Sequence, residues 1–120
     1  MEFSSRFVEK RKCPRVPMRL PVEYRKTEES RSRGAMTENL GEKGLLVLST
    51  QRMAVGTELE ITVLFPEEYK LTNFDGRAKI AWKDIYFKED WSGYKYGLEF
   101  VRLSEKDRMK LQKLVRNHLS

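Results

Sequence analysis

Two arginines four residues apart, Arg11 and Arg15, form the part of the chain best suited to binding an anion. Arginine matches phosphate because its planar guanidinium donates two parallel hydrogen bonds and its face stacks on bases. Pro14 fixes its own φ angle and disfavours helical backbone before it, which predicts an extended or turning segment. Both arginines could close on one anionic ligand there, with Lys10 and Lys12 adding positive charge. The alternative for an RxxxR pattern in a basic chain is a solvated arm.

A second polar segment, from Asn39 to Gly44, is predicted to be a turn between two strands. Asparagine and glycine tolerate left-handed backbone geometry, and Gly44 would allow the next strand to leave the turn sharply. The apolar run 45–48 that follows is typical of a strand buried on both faces.

Catalytic and metal-binding chemistry has little support in the sequence. His118 is the only histidine and Cys13 the only cysteine, so the chain lacks a metal-ligand set, and no local motif indicates a nucleophile with its base. We therefore predict neither an enzyme nor a metal site. A lone cysteine cannot form an internal disulfide, and no apolar run has the length of a membrane span or the pattern of a signal peptide. These features predict a cytoplasmic protein without membrane insertion.

Positive charge is concentrated at the two ends of the 120-residue chain, whose net charge is +6. Residues 1–35 carry 10 Lys and Arg against 5 Asp and Glu, residues 36–103 carry 9 against 11, and residues 104–120 carry 5 against 2. A basic arm on a nearly neutral body favours a local anionic ligand over a general surface for nucleic acid.

Alternating apolar and polar residues predict six strands, without helices between them. They lie near residues 16–25, 35–40, 45–48, 59–65, 77–83 and 94–100. Residues 67–73 are predicted to be a loop, and residues 84–93 a polar and aromatic excursion. Short strands in this succession favour a closed antiparallel barrel, because closure removes exposed sheet edges.

A C-terminal helix is predicted to begin near Ser104, with the acidic Asp107 completing its cap. Leu111, Leu114, Val115 and Leu119 fall on one stripe, which is typical of a lid on a barrel end, although a dimer contact is an alternative. His118 is interpreted as a boundary residue. Met109 lies off the stripe, and is therefore either exposed or part of such a contact.

Taken together, these segments resemble the PilZ domain family over nearly the whole chain. The family pattern is RxxxR, matched by Arg11 and Arg15, followed by D/N-x-S/A-x-x-G, matched by Asn39 and Gly44. The stretches 16–24, 44–47 and 96–100 are similar to family strands. The predicted organisation is an N-terminal basic arm, residues 1–15, and one barrel domain with its helix, residues 16–120.

The resemblance implies a mainly β, six-stranded antiparallel barrel with a C-terminal helix, and a non-catalytic receptor for the bacterial second messenger cyclic di-GMP. It implies that Arg11, Arg15 and Asn39 contact the nucleotide and that Gly44 permits the turn. It also implies an unidentified downstream protein partner. No further cofactor is expected, and the oligomeric state is left open between monomer and homodimer.

One position departs from the family pattern, because Gly41 stands where the family has a small hydroxyl or alanine side chain. Losing one hydrogen bond corresponds to about 1 kcal/mol, or roughly five-fold in affinity. Backbone N–H groups of a glycine turn can also face phosphate, so Gly41 stays among the predicted ligand-binding residues. The alternative hypothesis is a degenerate PilZ-like protein-interaction module that binds no nucleotide. Its second motivation is a set of aromatic residues: Trp82, Tyr86, Phe87, Trp91, Tyr94 and Tyr96. A barrel for single-stranded nucleic acid is disfavoured by the nearly neutral middle of the chain.

Overall fold

The computed structural model describes residues 15–119, apart from the side chain of Leu119. Within this range the chain forms seven strands followed by one helix. The elements are β1 (Arg15–Pro17), β2 (Pro21–Lys26), β3 (Arg33–Gly41), β4 (Gly44–Ser49), β5 (Glu58–Glu67), β6 (Lys70–Lys88), β7 (Trp91–Arg102) and α1 (Glu105–Leu119). The predicted mainly β fold with a C-terminal helix is confirmed, with seven strands instead of six.

Antiparallel pairing closes six of the strands into a barrel-like ring. Neighbouring strands follow the order β3, β2, β5, β6, β7 and β4, and β4 pairs again with β3. The short β1 pairs with the last three residues of β3, Asn39 to Gly41. It lies along the same edge of β3 as β2, which pairs with the earlier residues Arg33 to Met36. Closure pairs strand edges that an open sheet would expose.

The extra strand arises because the predicted first strand is divided around the side chain of Thr37. The Thr37 hydroxyl donates to the carbonyl of Met18 and accepts from the N–H of Leu20 at 2.8 Å. The pairing of β3 with β4 shifts register just beyond this point, between Thr37 and Asn39. The chain between β1 and β2 therefore bonds to this side chain as well as to the backbone of β3, where the Met18 N–H donates to the Glu38 carbonyl and the Leu20 carbonyl accepts from the Thr37 N–H.

Two hairpins are longer than the sequence predicted. The β5–β6 hairpin turns at Glu68 and Tyr69, where Glu68 has a φ of 57°, and the β6–β7 hairpin turns at Glu89 and Asp90. Most of the predicted loop 67–73 and of the predicted excursion 84–93 is therefore strand. Many side chains in these segments are exposed on both faces, which removes the alternation that identifies a strand.

The interior of the ring holds one apolar core. Its largest fully buried side chains include Tyr96, Phe74, Leu40, Ile80 and Leu98. The Tyr96 hydroxyl accepts from the N–H of Met53 at 2.8 Å and donates to the carbonyl of Gln51 at 2.6 Å. Burial raises the pKa of Tyr96, so this hydroxyl stays protonated and bonded at neutral pH.

Helix α1 contacts the ring through three buried residues of the predicted stripe, Leu111, Leu114 and Val115. The Ser104 hydroxyl caps the helix, since it accepts from the N–H of Asp107 at 3.1 Å and donates to the Asp107 carboxylate at 2.7 Å. The sequence predicted the serine amide as the partner of that carboxylate.

Two other side chains of α1 lie outside the contact with the ring. His118 is exposed, and its Nδ1 is 3.2 Å from the carbonyl of Leu114. Met109 is 62% exposed.

Candidate functional site

The second predicted motif lies on the β3–β4 hairpin. Asn39 and Gly41 belong to β3, Gly44 begins β4, and only two residues form the connection between the strands. The predicted turn from Asn39 to Gly44 is therefore shorter than expected, because Asn39 pairs with Pro17 of β1 and with Leu46 of β4.

Strand β1 brings one arginine of the RxxxR pattern to this hairpin. Arg15 pairs with Gly41, and Val16 pairs with Leu40. Val16 and Leu40 are buried in the core, so their neighbours Arg15 and Gly41 lie on the opposite, outer face of the ring. Arg15, Asn39 and Gly41 are thus brought together. Arg11, Lys10 and Lys12 lie outside the described residues.

Asn39 carries a buried acceptor that the fold leaves unused. No protein group in the described part of the chain donates to its Oδ1, although that atom is shielded from solvent. Most buried side-chain polar atoms have a partner, and leaving one without a hydrogen bond costs about 1–3 kcal/mol. This arrangement suits a ligand donor on the outer face.

Gly44 is required for close packing rather than for a left-handed turn. Its φ is not positive, contrary to the backbone geometry that the sequence suggested. A Cβ at this position would lie 2.1 Å from the carbonyl oxygen of Leu98 on β7. Any side chain here would push β4 away from β7 and move the hairpin that carries Asn39.

Trp82 extends the outer face next to the motif, whereas the sequence placed it only among the aromatic residues of the interaction-module hypothesis. The pairings Asn39 with Leu46, Leu46 with Gly97 and Gly97 with Trp82 form one row across four strands. The Trp82 ring covers Gly97, where an added Cβ would lie 2.2 Å from the indole Nε1. Trp82 follows the buried Ala78 and Ile80 at every second position, but a register shift between Ile80 and Trp82 leaves its ring 42% exposed. The available signal was Gly97 within the last predicted strand, because a glycine inside a strand often marks a site that another group approaches closely.

A groove of about 380 Å³ continues the outer face beyond Asn39. Glu38 and Met36 of β3 and Leu48 of β4 form part of one wall, and Tyr86 and Trp91 of the β6–β7 hairpin form part of the other. The rings of Tyr86 and Trp91 are tilted, with centroids 5.9 Å apart. The groove can therefore receive a planar or apolar group.

Charged side chains border this groove. The Arg19 guanidinium lies 3.4 Å from the Glu38 carboxylate and forms a salt bridge with it. Lys88 also lines the cavity. The Lys95 ammonium lies 4.6 Å from the centre of the Tyr86 ring, on the same outer face. Of the six aromatic residues that motivated the interaction-module hypothesis, only Tyr96 is fully buried.

Residues 15–119 contain neither a cluster of metal ligands nor a helix that could span a membrane. No three His, Cys, Asp or Glu side chains in this range come together as metal ligands. The described helix is too short and too polar to cross a membrane.

The chain matches the model of the PilZ domain over residues 9–117. None of the curated proteins matches it by sequence. Among solved structures it is similar to the inhibitor of motility MotI/DgrA of Bacillus subtilis, with 20% identity and a TM-score of 0.73. That alignment covers 92% of this chain and 52% of MotI, so the chain spans about half of the MotI length.

Two further structures have the same fold. The PilZ domain of YcgR from Escherichia coli, solved with cyclic di-GMP, shares 13% identity and a TM-score of 0.68, covering 92% of both chains. The PilZ domain of CeSA from a cellulose-synthesizing bacterium shares 18% identity and a TM-score of 0.60, covering 88% of this chain and 98% of that one. With the family model matched over nearly its whole length, the chain belongs to the PilZ domain family.

Proposed function

We propose that this protein is a non-catalytic receptor that binds cyclic di-GMP on the outer face of β1, β3 and β4. The observation that carries the proposal is the buried Oδ1 of Asn39, beside Arg15 and Gly41, to which no group among residues 15–119 donates. A guanine base offers N–H donors to such an acceptor, and the phosphates of the same molecule suit an arginine fork. One ligand would therefore satisfy both groups.

Arg15 is proposed to bind a phosphate of the ligand through its two parallel N–H groups. Its backbone is fixed opposite Gly41, and its side chain is partly buried, so fewer rotamers must be frozen on binding. Arg11 precedes it by four residues and is proposed to close on the same ligand, with Lys10 and Lys12 contributing attraction to the negative charge.

Gly41 and Gly44 are proposed to shape the site without contributing side chains. Gly41 is buried opposite Arg15, where its backbone N–H can face a phosphate, and Gly44 keeps β4 close to β7. The missing hydroxyl at Gly41 is expected to weaken binding by roughly five-fold without abolishing it. The exposed Trp82 ring, at the far end of the same row, provides a surface on which a base can stack.

Signalling is proposed to occur through a change of surface that a partner protein recognises. The ligand would bridge Arg11, Arg15 and the β3–β4 hairpin, and so fix the N-terminal segment against the ring. The alternative function is a protein-interaction module that binds no nucleotide. It is favoured by the exposed apolar side chains of the β6–β7 hairpin, Ile85 and Phe87.

Isothermal titration of the full chain with cyclic di-GMP, GTP and a short single-stranded oligonucleotide separates these functions. The receptor predicts saturable binding of cyclic di-GMP that is much tighter than binding of GTP, and weak, salt-sensitive binding of the oligonucleotide. Absence of saturable cyclic di-GMP binding would favour the interaction module. Tightest binding of the oligonucleotide would contradict both.

A further inference from the structure

The second half of β6 has an edge that no described strand covers. On one side, β6 pairs with β7 as far as Lys88. On the other side, its ladder with β5 ends at Lys79, and the last backbone contacts beyond that ladder are those of Ile80 with Gly56 and Thr57. The edge from residue 81 to residue 88 therefore presents backbone donors and acceptors to solvent.

The first half of β6 is covered differently. Residues 70–76 lie before the start of the β7 ladder, and helix α1 packs there, with the Lys110 ammonium donating to the carbonyl of Asn73 at 2.8 Å. One end of the strand thus has a covering element within the chain, and the other end has none among the described residues. Exposed strand edges readily pair with another strand.

Ile85 and Phe87 make this uncovered edge apolar. Their side chains are 62% and 73% exposed. The N–H of Ile85 donates to the carboxylate of its neighbour Asp84 at 2.9 Å, which places this donor on the outer edge of the strand. The Lys83 ammonium, which could protect such an edge, donates instead to the carbonyl of Met53 at 3.1 Å.

We propose that this edge pairs with the same edge of a second copy of the chain, forming a symmetric antiparallel dimer centred on Ile85. In that register Ile85 faces Ile85 of the second copy, and Lys83 faces Phe87, so no like charges oppose each other. Each Ile85 N–H exchanges its Asp84 carboxylate for a backbone carbonyl across the interface.

The charge distribution favours a second copy as the occupant. The chain carries a net charge of +6, which opposes self-association over most of its surface. Residues 83–95, which form the end of the β6–β7 hairpin and the start of its pairing with β4, contain three lysines (83, 88 and 95) and three acidic residues (84, 89 and 90), a net charge of zero. Two copies can therefore approach through residues 83–95 without repulsion between the net charges of these two segments.

Sedimentation velocity over a wide range of protein concentration tests the dimer, and the proposal does not depend on nucleotide binding. The wild-type chain should shift from monomer to dimer as its concentration rises. Ile85→Lys places two ammonium groups opposite each other and should raise the dimer dissociation constant by about ten-fold or more. Leu71→Lys is the matched control, because Leu71 is a similarly exposed apolar residue of β6, 67% exposed, that pairs with Pro66.

Cross-linking tests the register. Ile85→Cys in a Cys13→Ser background should form an intermolecular disulfide under mild oxidation, because directly opposed residues of antiparallel strands lie within disulfide distance. Leu71→Cys in the same background should remain largely reduced. A wild-type chain that stays monomeric throughout, or equal effects of the substitutions at positions 85 and 71, would overturn the proposal.

Discussion

Two polar side chains on β3, Thr37 and Asn39, differ in how the fold uses them. The Thr37 hydroxyl is fully buried and bonded on both sides, to the carbonyl of Met18 and the N–H of Leu20. The Asn39 Oδ1 is also shielded from solvent, yet no described protein group donates to it. Thr37 lies inside the ring, at the division between β1 and β2, whereas Asn39 lies on the outer face beside Arg15.

This difference separates a structural region from the proposed binding region within one strand. A buried polar group whose hydrogen bonds are all made within the chain contributes to stability and has no capacity left for a ligand. A buried acceptor without a partner costs stability, and is tolerated where a ligand can provide the donor. We therefore expect substitutions around Thr37 to change folding, and substitutions around Asn39 to change binding.

The largest effect on stability is expected for Thr37→Val. Valine keeps the shape of threonine but leaves the Met18 carbonyl and the Leu20 N–H without their partner, so the free energy of unfolding should fall by about 2–3 kcal/mol. Urea denaturation measures this loss. Thr62→Val is the matched control, because the Thr62 hydroxyl donates to Asp75 at 2.8 Å on an exposed surface, and its loss should change stability by less than about 1 kcal/mol. Equal losses of unfolding free energy from the two variants would mean that the buried Thr37 bonds contribute no more to stability than an exposed hydrogen bond.

The largest effect on binding is expected for Arg15→Ala. A bidentate, charge-assisted contact contributes about 1.5–3 kcal/mol, so calorimetry should show cyclic di-GMP affinity reduced at least about ten-fold. The melting temperature of the free protein should stay within about two degrees. Arg15→Lys should recover only part of the affinity, since an ammonium lacks the planar fork.

Arg31→Ala is the control for that arginine, because Arg31 is exposed before β3 begins. It should leave binding nearly unchanged. If the two alanine variants lose affinity equally, the site is a diffuse basic surface. If Arg15→Ala unfolds the protein, Arg15 is structural.

A smaller effect on binding is expected for Asn39→Ala. Losing one hydrogen bond to the ligand should weaken cyclic di-GMP binding by about five-fold. The free protein should be as stable as the wild type or slightly more stable, because a buried acceptor without a partner has been removed. Calorimetry and urea denaturation measure the two effects. Asn73→Ala, which removes an exposed side-chain contact to Asp75, should leave binding unchanged.

The smallest effect, in the opposite direction, is expected for Gly41→Ser. The added hydroxyl restores the side chain that the family pattern has at this position, and affinity for cyclic di-GMP should rise by about two- to five-fold. The measurement is the same titration. Unchanged or weaker binding would indicate that the glycine backbone at position 41 itself serves the ligand.

Much of the ring could be predicted from the sequence because its strands obey a simple alternation. Leu59, Ile61, Val63 and Phe65 face the core at every second position, as expected for a strand with one buried face. The closed antiparallel fold followed from the succession of such strands, and the helix followed from its cap at Ser104 and its apolar stripe.

The parts that could not be predicted depend on contacts between distant residues. The division of the first strand depends on the Thr37 hydroxyl, which accepts a hydrogen bond from the N–H of Leu20, 17 residues earlier in the chain. The outward position of Trp82 depends on a register shift in the pairing of β6 with β7. The two motifs could be identified from their residue types, but the unused acceptor of Asn39 is a property of the folded chain.

Amide NMR of the protein titrated with cyclic di-GMP shows whether the nucleotide binds the outer face at Arg15, Asn39 and Gly41. Addition of cyclic di-GMP should shift the side-chain amide signal of Asn39 and the backbone amides of Arg15 and of residues 39–44. The amides of the buried Thr37 and of the exposed residues 30–33 should move much less. Shifts confined to other strands, or no shifts at saturating nucleotide, would mean that cyclic di-GMP does not bind at this face.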